Sequence, residues 1–196
     1  MLRQEEFQIK KPIKIALHEE KEFIAQLLDP KTQNKAFQKL LHDYQRPLYN
    51  HIRNIVINHD DTDDVLQNTF IKVFKHLKDF KGDSKLFSWM YRIATNEAIT
   101  FINQKAKKNG LTSEELQTKI VNNIKADDYF DGNEIQIKLQ KAIVALPEKQ
   151  QLVFKMKYFE ELKYEEISEI LSTSVGALKA SYHHAVKKIE EYMNNN

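Results

Sequence analysis

Ser174, Lys179, Ser181, His183, His184 and Lys187 fall within one predicted helix near the carboxyl terminus, mostly at its outward positions. Hydroxyl and imidazole groups can exchange hydrogen bonds with base edges, and the lysines add charge for phosphates. Ala177 and Ala180 keep the start of that helix slim enough to approach a groove. Ser174 closes the polar run Ser172-Thr173-Ser174 and suits an N-cap. The opposite side carries Val175, Leu178, Tyr182, Ala185, Val186 and Ile189, an apolar stripe that must be buried.

The other reactive side chains do not assemble into a reaction centre. The chain has seven histidines and 28 acidic residues, yet none fall into a metal-ligand or catalytic-triad spacing. His183 and His184 are adjacent and so diverge on a helix. There is no cysteine, which excludes disulfides and thiolate metal sites. The reading is therefore of a binding protein, not an enzyme, with no cofactor and no metal. No stretch approaches the roughly 20 apolar residues of a membrane span, and the charged amino terminus is not a signal peptide, so a cytoplasmic protein without membrane insertion is expected.

Net charge is only +2, so the local distribution matters more. Asp60, Asp61, Asp63 and Asp64 form an acidic cluster. Between Lys72 and Lys108 the basic residues outnumber Asp79, Asp83 and Glu97. Such a stretch suits a phosphate backbone, although a solvated lysine face explains it equally well.

Four glycines, four prolines and no strand-like runs predict an all-α fold. Residues 1–21, interrupted by Pro12, read as an arm. Periodicity then runs from about Glu22 to Lys108, with Pro47 expected to kink or divide one helix. Ser84 is a candidate cap for the helix holding Phe87, Trp89, Met90, Ile93 and Ala94. Residues 109–133 are acidic and weakly periodic, and read as a flexible acidic linker with room for one helical turn. A second periodic block covers 134–196. Within it, Tyr164 to Leu171, the serine-rich turn and the long last helix make a helix-turn-helix arrangement. On spacing alone an ordinary helical hairpin fits about as well.

The segment from Leu146 to Met193 resembles region 4 of bacterial sigma-70 factors. Leu146-Pro147, Gln150, Tyr164-Glu165-Glu166-Ile167, Ile170-Leu171, Val175-Gly176, Lys179 and His183 with Ala185 carry the likeness. Asp63 to Asn103 resembles region 2 of the same family, through Asp64, Leu66-Gln67, Thr69-Phe70, Phe80-Lys81-Gly82-Asp83-Ser84, Phe87, Trp89, Tyr91-Arg92-Ile93-Ala94 and Asn96, and Arg46-Pro47-Leu48-Tyr49 upstream fits too. With nothing resembling a third globular domain between them, the likeness is to the compact extracytoplasmic-function (ECF) subfamily.

The resemblance implies two small helical domains and a factor that directs core RNA polymerase to promoters and promotes melting. It implies that 22–108 recognises the minus-ten element and that 134–196 reads the minus-thirty-five element. Phe80, Lys81, Ser84, Lys85, Trp89, Arg92, Asn96 and Lys105 would meet melting DNA, where a base leaving the stack needs an aromatic wall and polar groups. Trp89 is equally well explained as core. Asp64, Gln67, Asn68 and Lys72 would contact the polymerase β′ coiled coil, with the β flap a second contact. Asn68 stands where the family often has Glu. The resemblance also implies an anti-sigma factor as a partner. Ser181 and His184 replace arginines common in relatives, so the guanidinium fork is missing and the isolated reader is expected to be weak.

Overall fold

The computed structural model describes residues 17–124 and 132–195. Among these, all regular structure is helical. In chain order the helices are α1 (Leu17–Leu28), α2 (Gln33–Val56), α3 (His59–His76), α4 (Leu86–Lys108), α5 (Ser113–Asn122), α6 (Glu134–Val144), α7 (Glu148–Tyr158), α8 (Tyr164–Leu171) and α9 (Val175–Asn195).

Helices α2, α3 and α4 pack mutually, and α1 lies against α2. Leu27, Leu40, Leu48, Ile52, Val73, Leu86, Met90 and Ala94 form their fully enclosed centre. Each large aliphatic side chain so buried contributes about 2 kcal/mol of transfer free energy.

The second group is α6 to α9, in which α9 packs on α6, α7 and α8. Ile143, Leu146, Phe154, Ala185 and Ile189 fill its own small core. Phe154 stacks on Tyr158 with ring centroids 5.0 Å apart and on Tyr182 at 5.9 Å.

Several local features differ from the sequence expectation. The first helix begins at Leu17, not near Glu22, because Glu20 is recruited: its carboxylate accepts the Leu86 backbone N–H at 2.9 Å and so caps the start of α4. Lys85, not Ser84, occupies the N-cap position there. Pro47 does not divide α2, which runs unbroken over 24 residues. A mid-helix proline costs about 3 kcal/mol. Here Pro47 itself is buried, and Tyr44, Leu48, His51 and Ile52 around it are buried with it, so packing outweighs the lost hydrogen bond.

The connector holds the ten-residue α5 in place of a single turn. Its signal was present in Thr112-Ser113-Glu114-Glu115: Thr112 and Glu115 form a reciprocal capping box. Leu116 and Val121 are buried, and α5 packs between α4 and α6. Asp127, Asp128 and Asp131, which gave the connector its acidic character, lie outside the described residues.

The two helical groups are not separated in space. α8 packs along α4, and α7 touches α2. Leu152, Val153, Met156, Leu162, Ile167, Ile170 and Leu178 join one continuous apolar core with the residues of α1 to α4.

Candidate nucleic-acid and partner interfaces

The helix-turn-helix forms as the spacing predicts. Ser172 ends α8 in the left-handed region with φ of 51° and donates its N–H to the Ser168 carbonyl. Ser174 Oγ then accepts the Ala177 N–H at 3.4 Å at the start of α9. Lys179, His183, His184 and Lys187 are exposed along α9 with Ala177 and Ala180, while Ser181 is half-buried. Lys179 Nζ lies 5.8 Å from the centre of the Tyr164 ring, which holds the ammonium near the turn between the two helices. The exposed candidates thus spread over the surface of α9 away from Leu178, Ala185 and Ile189, with Ser181 half-buried at its margin.

The region 2 candidates divide. Lys81, Lys85 and Asn96 are exposed, and Ser84 is half-buried. Phe80 and Trp89 are half-buried with ring centroids 5.1 Å apart, forming a partly open aromatic wall. Phe87 and Ala94 are core, and Ile93 packs against that core half-buried. Arg92 is not free: its guanidinium donates to the backbone carbonyl of Glu169 at the carboxyl end of α8. Lys105 is engaged too, with Nζ 2.7 Å from Asp61 Oδ1. Both basic side chains therefore have partners within the chain.

Asp64, Gln67, Asn68 and Lys72 are exposed on α3. Lys72 pairs with Glu97 of α4. Asp64 and Gln67 border an apolar groove between α2 and α3, floored by Phe37, Leu41, Phe70 and Phe74. Phe37 and Phe74 meet edge to face at 5.0 Å. Phe74 and Ile71 remain 46% and 45% exposed, a large apolar exposure for one helix. Val65, Leu66, Phe70, Val73, Phe74 and Leu77 recur at helical spacing and read as one buried stripe, and Phe74 departs from that reading by staying open in the groove.

Three buried polar residues were also missed. His51 Nδ1 lies 3.0 Å from both Glu160 oxygens, and Nε2 lies 2.9 Å from Thr95 Oγ1. Glu160 follows α7, so this contact joins the two helical groups. Lys155 of α7 is wholly buried, with Nζ 3.3 Å from Gln151 Oε1. Desolvation pushes its ammonium down to about 8, partly opposed by the Glu160 carboxylate. Lys155 borders a cavity of about 30 Å³ between Ile55, Ile102, Gln117 and Leu152. The available signal was His51 itself, a polar residue on the apolar side of α2 between Leu48 and Ile52.

No helix among the described residues is long and apolar enough to cross a membrane. Nor does any group of three or more acidic, histidine or cysteine side chains there suit a metal ion.

Comparison with known proteins agrees with this arrangement. The family model "Sigma-70 region 2" matches residues 40–108, and "Sigma-70, region 4" matches residues 136–189. The ECF RNA polymerase sigma factor SigW of Bacillus subtilis is 29% identical over 161 residues, covering 78% of this chain and 86% of the relative. The RNA polymerase sigma-H factor of Pseudomonas aeruginosa is 27% identical over 176 residues, covering 80% and 86%. Among solved structures, CnrH in complex with the cytosolic domain of CnrY aligns with a TM-score of 0.64 at 18% identity, over 90% of this chain and 98% of that one. The sigma factor RpoE of Bartonella quintana, in complex with the anti-sigma factor NepR, aligns with a TM-score of 0.61 at 17% identity, over 83% and 99%. With both regions matched in order on a shared fold, the chain belongs to the sigma-70 family, in its ECF branch, and directs RNA polymerase to promoters for transcription initiation.

Proposed function

We propose a division of labour along the chain. Residues 22–108 grip core polymerase and capture the minus-ten element as it melts. Residues 134–196 read the minus-thirty-five element, and 109–133 connect them. The observation that carries this reading is the separation of two unlike surfaces. One is the exposed polar and basic side of α9. The other is the apolar α2–α3 groove rimmed by Asp64 and Gln67.

The groove suits a helical protein partner, because an amphipathic helix lays apolar side chains into such a cleft and meets polar residues at its rim. The β′ coiled coil of polymerase is that partner in this reading, with Asp64, Gln67, Asn68 and Lys72 at the rim, and the β flap engages the carboxyl-terminal unit. Lys81, Lys85, Asn96 and the Phe80–Trp89 wall face single-stranded DNA. Arg92 and Lys105 join them once released from Glu169 and Asp61. Ser174, Lys179, Ser181, His183, His184 and Lys187 face the duplex upstream.

The protein works by binding and positioning, without chemistry or cofactor of its own, and acts in the cytoplasm where promoters are transcribed. An anti-sigma factor is a further partner. The complexes of CnrH with CnrY and of RpoE with NepR support that proposal.

Run-off transcription with purified core polymerase, followed by start-site mapping, tests the reading. Start sites that appear only when both proteins are present are expected. Strong sequence-specific binding by the protein alone, with no effect on polymerase, would point instead to an autonomous regulator.

A further inference from the structure

The groove between α2 and α3 has a volume of about 680 Å³. Ile71 and Phe74 on its α3 side stay nearly half exposed. A contiguous apolar opening of this size marks a surface that something covers. The two helices are joined by the short turn at Ile57 and Asn58 and run antiparallel, so Phe37 meets Phe74 at one end of the groove. Lys75 stands at that end, and Asp63 and Asp64 stand towards the other, all three exposed. The groove is therefore apolar along its length, acidic at one end and basic at the other.

Residues 1–16 precede α1 and lie outside the described residues. Their sequence carries the complement of that pattern. Phe7, Ile9, Ile13 and Ile15 sit at odd positions, so a chain passing along a cleft can turn all four the same way. Lys10, Lys11 and Lys14 lie among them without an acid, and Glu5 and Glu6 come before them. In charge, the segment is acidic first and basic second.

The start of α1 is close to the acidic end. Glu20 lies in the first turn of α1. Burial raises the Tyr44 phenol, and the nearby Glu20 carboxylate adds to the rise, so that turn stands beside Tyr44. The next residue, Gln45, lines the groove. A chain leaving Leu17 from there meets Asp63 and Asp64 with Lys14, Lys11 and Lys10. It then passes Phe70, Ile71 and Phe74 and brings Glu6 and Glu5 to Lys75. Sixteen residues can span up to roughly 50 Å, and the 18 residues of α3 rise only about 27 Å, so length sets no limit. A tethered segment also meets the groove at an effective concentration of about millimolar, which a second copy in dilute solution does not reach.

We propose that residues 5–15 of this chain occupy the α2–α3 groove in the free factor, apolar side inward and lysines towards Asp63 and Asp64, and that core polymerase must displace them to bind. This rests on the reading of the groove as the polymerase surface. The arm covers the exposed phenylalanine while no partner is present. It also sets a threshold for capture, because polymerase competes with a ligand that cannot diffuse away.

The chain has no cysteine, so Ile71→Cys places a single thiol in the groove. Its alkylation rate by a maleimide is measured in the full chain and in a chain lacking residues 1–16. Gln104→Cys, at an exposed position on α4, is the control. A synthetic peptide of residues 1–16 is added back to the shortened chain. Affinity for immobilised core polymerase is measured on the same pair without the cysteine. Ile9→Asp combined with Ile13→Asp in the full chain repeats the comparison without truncation.

Removing the arm is expected to speed alkylation at Ile71→Cys several-fold and to leave Gln104→Cys unchanged, and the peptide restores protection. The shortened chain and the double aspartate variant bind core polymerase several-fold more tightly than the parent. Equal alkylation rates with and without the arm would overturn the docking. Protection that grows with protein concentration and survives removal of the arm would replace the arm by a second copy. Faster alkylation with unchanged or weaker polymerase binding would overturn the competition. Phe74→Ser in the shortened chain separates this from the reading beneath it: if that variant still loses polymerase affinity, the groove remains the polymerase surface and only the role of the arm falls.

Discussion

His51 of α2 and Glu160 beyond α7, 109 residues apart in sequence, meet at 3.0 Å with side chains 0% and 4% exposed and link the two helical groups. Removing one partner of a buried pair of this kind costs about 3–5 kcal/mol, because the other is left uncompensated. Trp89 is the only tryptophan and sits in the amino-terminal group. Its fluorescence therefore reports that group, while circular dichroism reports all helices. In urea the two signals should lose structure together in the parent protein. In Glu160→Ala the dichroism transition should begin at lower urea and split from the fluorescence transition. Coincident curves in the variant would show that the pair does not couple the two groups.

Lys155 gives a prediction with a defined sign. Its folded value of about 8 lies below the ordinary 10.5, so the unfolded chain binds more protons between those values. Stability contributed at this site therefore rises as pH climbs from about 8 towards 10.5, on the order of 3 kcal/mol at full burial. Below pH 8 the ammonium is charged in both states and its burial cost is fully felt. Lys155→Met should thus stabilise the protein most at about pH 7 and least at about pH 10. Tyr44 and Tyr91 act in the opposite direction at the alkaline end, since burial raises both phenols. The difference between the two proteins removes their contribution. Urea midpoints at the two pH values are the measurement, and a constant difference would contradict the burial of Lys155.

The groove makes a different demand. Phe74 is nearly half exposed, so Phe74→Ser should alter folding stability by about 1 kcal/mol or less, in line with its incomplete burial. Affinity for core polymerase should nevertheless fall by tenfold or more, since aromatic anchors dominate such interfaces. Surface plasmon resonance against immobilised core enzyme decides this. Normal affinity in a folded Phe74→Ser variant would remove the groove from the polymerase interface.

On α9, Lys179→Ala and Lys187→Ala should each weaken promoter binding by the assembled holoenzyme. Each should also reduce the slope of log affinity against log salt by about one, as expected for a lost phosphate contact. Ser181→Ala should change sequence preference with little effect on that slope. Titrations at several salt concentrations distinguish the two behaviours, and an unchanged slope in both lysine variants would move the phosphate contacts elsewhere.

The all-helical fold and the exposed side of α9 were legible because both depend on local rules: apolar spacing, turn residues and caps. The α5 helix was legible in principle, since Thr112 and Glu115 spell its cap, but its stripe is too short to stand out. Pro47 was misleading because proline signals a local cost, while the helix around it is held by distant packing. The groove between α2 and α3 was illegible for a related reason. Phe70 and Phe74 share one apolar stripe, and only the placement of α2 covers the first and leaves the second open. His51, Lys155 and Glu160 were beyond reach because their partners lie on other helices. Arg92 shows the same limit: its type suggested a phosphate, and its fold gave it a carbonyl.

The capped helix in the connector has a further consequence. Ten residues wound into α5 span roughly 15 Å at 1.5 Å per residue. Drawn out, the same chain reaches roughly 33 Å or more. Helix α5 is thus a spool holding close to 20 Å of tether in reserve. The distance over which the two ends of this protein can work together depends on how much of that spool is paid out.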